Sequence, residues 1–202
     1  MGIYRIKPRF QQALGGVERA LVRRRVHPDY LTIGALLLSI CGGVALWGSQ
    51  WSRWLLLLVP LVAIGRTVLN ALDGLVARDL GVARPWGEVL NELCDRLADV
   101  ALFTGVALAV GSDARLGAIT IVVMLLSSYV AILSKAAGGR RQYGGVMGKA
   151  DRMIFLSVAS VAACIFPSLP ILTWFLVLVL IGLALTFARR AGDTYADLQP
   201  RR

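Results

Sequence analysis

The residues able to do chemistry are concentrated between Asn70 and Asp99, in NALDGLVARDLGVARPWGEVLNELCDRLAD. Half of the chain's twelve acidic residues lie in this window. Set on a helix, Arg66, Asn70, Asp73 and Ala77 fall at i, i+4, i+7 and i+11 and share one face. On a following helix, Gly87, Asn91, Asp95 and Asp99 recur every four residues and share another. Carboxylates and amide oxygens clustered without Cys or His suit a hard divalent cation such as Mg²⁺, Mn²⁺ or Ca²⁺. The only histidine, His27, lies far upstream. Mg²⁺ commonly binds through a few carboxylates plus the phosphates of a substrate. Gly74, Ala77 and Gly87 would let such a substrate approach the helix backbones, and Arg78 could neutralise a phosphate. The window therefore reads as a metal-assisted site for a phosphate-containing substrate. The same residues admit a second use, as buried hydrogen bonds tying two helices together. Paired Asn and Ser would do that at lower desolvation cost.

The elements that must position these side chains are apolar. Of 202 residues 57% are hydrophobic, and the mean hydropathy is +0.68. Several stretches reach bilayer-spanning length, which excludes an ordinary soluble domain. The hydropathy pattern predicts six spans, about 31–49, 54–78, 86–110, 116–135, 153–166 and 171–187. The predicted fold is all-α, a polytopic six-transmembrane-helix bundle preceded by an interfacial amphipathic helix. Ile6, Phe10, Leu14, Val17 and Leu21 supply the apolar stripe of that helix. In domain terms this gives residues 1–28 as the interfacial segment, 29–190 as the membrane domain and 191–202 as a cytoplasmic tail. Ionisable groups at membrane depth normally face a bundle interior, so the two polar stripes are expected to meet there.

The basic residues set the expected topology. Arg5, Lys7, Arg9, Arg19, Arg23, Arg24 and Arg25 precede the first span; Arg140, Arg141, Lys149 and Arg152 follow the fourth; Arg189, Arg190, Arg201 and Arg202 follow the sixth. The opposite loops carry only Arg53 and Arg115. The positive-inside rule then puts both termini and the acidic window on the cytoplasmic side of an inner membrane. The formal charge of +10 is accounted for by those loops and by attraction to anionic lipid, not by nucleic acid. Cys41, Cys94 and Cys164 have no metal-type spacing and read as reduced thiols. The N-terminal stretch has no apolar core of a signal peptide.

The window resembles the signature of the CDP-alcohol phosphotransferase family, D-x-x-D-G-x-x-A-R-x8-G-x-x-x-D-x-x-x-D. The matching positions are Asn70, Asp73-Gly74, Ala77-Arg78, Gly87, Asn91 and Asp95, with the spacing kept throughout and six of eight residues identical. HPDYLT, leading into the first span, is similar to the family's N/T-P-N-x-x-T. The resemblance implies a six-helix membrane enzyme, usually a homodimer, in which an alcohol hydroxyl displaces CMP from a CDP-linked donor. By the same resemblance, two divalent cations, Mg²⁺ or Mn²⁺, would bind between the second and third spans with Asp73 as a ligand, while the residues of this chain leave one ion or two open. Asp95 would ligate metal or take the alcohol proton. Gly74, Ala77, Arg78 and Gly87 would line the CDP pocket. The compact six-span form looks more like the members that use CDP-diacylglycerol.

The chain departs from the signature at Asn70 and Asn91, which keep a carbonyl oxygen but lose a charge. Three explanations stay open: a single metal held by Asp73, Asp95 and substrate phosphate; recruitment of Asp99, one turn further along the stripe; or loss of catalysis, leaving a site that binds a CDP-lipid or lipid head group. Asp99 also reads as a packing acid paired with Arg96 or Arg66, and Glu88 and Glu92 as solvent-facing. Lys135, Arg140, Arg141, Lys149 and Arg152 flank a glycine-rich loop and could cradle an anionic acceptor, so the small polar alcohol is open to being phosphorylated or not. Ordinary positive-inside charge explains them equally. A small ion or lipid transporter using an intramembrane acid pair is the remaining competitor.

Overall fold

In the computed structural model of the protein, residues 7–199 are described, with side chains from residue 14 onward. The chain is helical: α1 (Lys7–Arg23), α2 (Pro28–Gly48), a 3-10 turn (Arg53–Leu58) running into α3 (Val59–Asp79), α4 (Pro85–Ala107), α5 (Ala114–Ala136), α6 (Lys149–Ile165) and α7 (Ile171–Leu198). Four segments are long and apolar enough to cross a membrane: Pro28–Gly48, Arg53–Asp79, Ala114–Ala136 and Ile171–Leu198. Their outward faces are apolar, with Leu37 and Val44 on α2, Leu61 and Ile64 on α3, Ile119 and Val122 on α5 and Ile181 and Leu185 on α7 all exposed. Contiguous apolar surface on this scale fits lipid and not water. This is a membrane protein. α4 carries the acidic window and α6 is only 17 residues long, about 25 Å at 1.5 Å per residue.

Local chemistry fixes the helix ends near the acidic window. Pro28 occupies the first position of α2, where no amide hydrogen is needed, and the His27 ring accepts the Asp29 N–H at 3.3 Å. α3 ends in a Schellman motif. Gly81 adopts φ +66°, its N–H reaches the Arg78 carbonyl, and the Val82 N–H reaches that of Ala77. Extended Arg84 and Pro85 then start α4 at once. This tight reversal lays α3 and α4 antiparallel.

α2 packs along both α3 and α4, and α5 packs along α7. The α2–α4 crossing requires glycine. A Cβ on Gly43 would sit 2.4 Å from the Ala101 carbonyl oxygen, and one on Gly105 would sit 2.4 Å from that of Gly43. α3 and α4 instead meet largely through side chains. The main core joins Leu46, Val59, Leu102, Phe103, Met124, Phe175 and Leu176, with the Phe103 and Phe175 rings 5.9 Å apart. A second cluster seats Leu14 and Leu21 of α1 against Leu72 and Val76 of α3, while Val17 is exposed. Of the predicted α1 stripe, Ile6 lies outside the described residues and Phe10 outside the described side chains. Arg201 and Arg202 of the predicted tail also lie outside. Residues 191–198 of that tail continue α7 as helix.

Candidate functional site

The two polar stripes meet as a ladder between antiparallel helices. Asp73 Oδ2 accepts the Asn91 amide at 3.2 Å. One turn deeper, Asp95 Oδ1 accepts the Asn70 amide at 3.1 Å. A further turn on, Asp99 Oδ1 takes the Arg66 guanidinium at 2.7 Å. Residues 73/91, 70/95 and 66/99 are thus successive rungs, as antiparallel i, i+4 faces require.

The rungs differ in what holds the carboxylate. Asp73 is buried and held by neutral donors. The Thr32 hydroxyl donates to Oδ2 at 3.0 Å, and the Gly74 N–H to Oδ1 at 2.5 Å. Among the described residues no Lys or Arg forms an ion pair with it. Asp95 is half-open and ion-paired with Lys149, the first residue of α6. Asp99 is fully buried between arginines, with Arg152 on Oδ2 at 2.7 Å, Arg96 at 3.7 Å and Arg66 opposite. Its contacts are those of the packing acid, with more partners than the sequence suggested.

An open cavity of about 510 Å³ sits at the cavity-side rung, between the starts of α2 and α4 and the end of α3. Asp73, Gly74, Ala77, Arg78, Gly87 and Asn91, all singled out from the sequence, line it together. Asp95 and Asn70 are not part of its lining. A Cβ on Gly74 would meet nothing within 4 Å, and one on Gly87 only the Arg84 side chain at 3.6 Å. Neither glycine is required by packing or by backbone angle, so both serve to leave space. The volume falls within the ordinary range for small-molecule sites. A smaller apolar depression of about 290 Å³, beside Leu125, Leu126 and Tyr129, has no carboxylate.

Sequence reasoning missed part of the cavity wall. Thr32 and Asp29 come from α2, and Arg84, bonded to Asp29 Oδ2 at 2.5 Å, precedes α4. HPDYLT was the available signal. Glu92, expected to face solvent, instead holds Arg96 at 3.2 Å and pairs with Arg141. Glu88 is exposed but engages Lys135 at 2.8 Å. These pairs strap the basic segment after α5 onto α4. From the other side, Arg190 donates to the Gly144 carbonyl at 2.8 Å, and Asp197 accepts the Arg140 N–H at 2.5 Å. Of the five predicted acceptor residues, Lys135 and Arg140 are exposed, Arg141 and Lys149 are half-buried, and Arg152 is buried on Asp99.

The donor set fits a divalent ion. Asp73 is a buried carboxylate without a cation, beside open space and a second amide side chain. A charge so placed is costly unless a counter-ion joins it. Among the described residues no three His, Cys, Asp or Glu side chains converge. The remaining oxygens would come from the Asn amides, once turned, and from substrate phosphate.

The sequence profile described as CDP-alcohol phosphatidyltransferase matches residues 25–149. The chain belongs to this family. It is 33% identical over 167 residues to the Inner membrane protein YnbA of Escherichia coli, covering 83% of each chain. It is 30% identical to the phosphatidylinositol phosphate synthase of Mycobacterium marinum over 83% of this chain and 74% of that one. The fold matches crystal structures of the Mycobacterium tuberculosis phosphatidylinositol phosphate synthase. With CDP-DAG bound, that enzyme superposes with a TM-score of 0.75 at 23% identity, over 93% of this chain and 97% of its own. In complex with manganese and citrate the score is also 0.75, at 24% identity, over 93% and 92%.

Proposed function

We propose that this protein is a divalent-metal-dependent phosphatidyltransferase. It transfers the phosphatidyl group of CDP-diacylglycerol to the hydroxyl of a small, phosphorylated polar alcohol, with release of CMP. The single observation carrying this reading is the cavity at the ladder, where Asp73, Gly74, Ala77, Arg78, Gly87 and Asn91 share one wall. The CDP head group lies there, close to the backbone at Gly74 and Gly87, with Arg78 facing its phosphates. Asp73 and Asn91 on the wall are the groups available to Mg²⁺ or Mn²⁺, with Asn70 and Asp95 on the next rung of the ladder. When bound, the ion stabilises negative charge on the phosphates. Asp95, one turn along the ladder from Asp73, accepts the proton of the attacking hydroxyl. Asp99 and Arg152 are left out of the contact set, because each is occupied by the other.

The acceptor binds under the basic segment after α5, near Lys135, Arg140 and Arg141. The names of the relatives make an inositol phosphate the first to try. α4 and α6 complete a six-span bundle, with α1 on the cytoplasmic interface and both termini in the cytoplasm. The basic loops support this orientation, and the protein works as a homodimer in the inner membrane. A second reading has a specific observation in its favour: Asn70 and Asn91 stand at signature aspartate positions, which suits a relative that binds a CDP-lipid without turnover.

Purified protein given radiolabelled CDP-diacylglycerol, Mg²⁺ or Mn²⁺ and a panel of alcohols is expected to release CMP and yield one labelled lipid. Chelation should abolish this, and Asp95→Asn should slow it roughly 10²–10⁴-fold. Tight donor binding with no product across the panel would favour the non-catalytic reading.

A further inference from the structure

The lysine that opens α6 stands in an unusual place. Its ammonium pairs with Asp95 Oδ1, the same oxygen that receives the Asn70 amide. Three residues along α6, Arg152 pairs with Asp99, which is four residues along α4 from Asp95. The two helices are therefore joined by two consecutive ion pairs in register, 95–149 and 99–152. The second is buried and further braced by Arg66, which also donates to the Asp95 carbonyl at 3.3 Å and reaches Met153 Sδ at 3.5 Å. That brace fixes where α6 begins, and so where Lys149 stands. At the same end, the Gly148 N–H donates to Asp151 Oδ2 at 2.9 Å and secures the first turn of α6.

The charges at the ladder then divide unequally. Asn70 and Asn91 bring none. Asp95 already has a fixed cation and is not part of the cavity lining. Asp73 has only neutral donors and faces the cavity. We infer that Lys149 is a built-in cation for Asp95, so that the site takes a single divalent ion, at Asp73, and that Lys149 serves the ladder and not the acceptor. This rests on the metal-dependent reading above and specifies its stoichiometry. A second divalent ion would have to displace an ammonium held in place by the neighbouring buried pair. In that arrangement Asn at positions 70 and 91 is the matching choice, because two more carboxylates would leave the site with charge that one ion and one lysine do not offset.

Mn²⁺ titration of the purified full-length protein, followed by electron paramagnetic resonance of free and bound metal, reads this directly and does not depend on turnover. The wild type is expected to bind one Mn²⁺ per chain with no Mn–Mn coupling. Lys149→Arg should keep that number. The combined variant Asn70→Asp, Asn91→Asp, Lys149→Met should bind two, with a spin-coupled signal. Two ions in the wild type, or one in the combined variant when it elutes as a monodisperse peak and unfolds cooperatively, would overturn the inference. If the combined variant does not fold, Lys149→Met alone decides: a second, weaker Mn²⁺ supports the inference, and an unchanged single ion overturns it. Absence of Mn²⁺ from the wild type, both alone and with CDP-diacylglycerol present, would overturn the metal-dependent reading itself.

Discussion

The rungs at Asp73 and at Asp99 lie on the same pair of helix faces, yet they are opposite in character. At Asp99 a carboxylate is sealed from solvent and surrounded by Arg66, Arg152 and Arg96. At Asp73 a carboxylate is held by a hydroxyl, a backbone N–H and an amide, beside a cavity. The first arrangement is complete without a ligand. The second gains its counter-charge only when something binds. An acid at membrane depth is thus no sign of a ligand site where buried arginines already neutralise it.

The sharpest way to break this contrast is to remove each charge separately. Asp99→Ala leaves Arg66 and Arg152 buried without a counter-ion and should cost about 3–5 kcal/mol of stability. It would appear as a large fall in the unfolding temperature in detergent. Asp73→Asn removes a buried charge without stranding a cation, so stability should hold or rise while CMP release is lost. Equal destabilisation by the two variants would show that both rungs are structural.

Much of this contrast was legible in advance, and the rest was hidden for a definable reason. Four-residue spacing placed Asn70, Asp73, Asn91 and Asp95 on facing stripes, and those residues do bond across the helix pair. Spacing also put Asp99 on the stripe, but it could not say that α6 would bring Arg152 to it from 53 residues away. Thr32 reaches Asp73 across 41 residues for the same reason. Periodicity describes the face of one helix; the partners on that face come from other helices. The periodicity of α4 alone turns Glu92 toward solvent, whereas the segment after α5 folds back to cover it. The continuation of α7 to Leu198 was obscured by charge. Its last turns are polar, and they support the basic segment instead of crossing lipid.

A second, smaller contrast concerns two glycines in helices. Gly43 is needed for contact and Gly74 for space. Gly43→Ala would drive a Cβ to 2.4 Å from a backbone oxygen of α4, and overpacking of this kind costs about 1–3 kcal/mol. Gly74→Ala meets nothing within the protein, and alanine favours a helix interior by about 1 kcal/mol. It should therefore hold or raise the unfolding temperature while weakening CDP-diacylglycerol binding, measured by equilibrium dialysis of labelled donor. If Gly74→Ala bound donor normally, the cavity would not be the CDP pocket.

The central claim is that Asp73 holds a cation against the diphosphate of a CDP-linked donor. Phosphorus-31 relaxation of CDP in the presence of Mn²⁺ and the purified protein tests it most directly. Paramagnetic relaxation of both phosphates enhanced over that of free Mn²⁺–CDP with the wild type, and no enhancement with Asp73→Asn, is the predicted result. The same enhancement in a folded Asp73→Asn protein would contradict it.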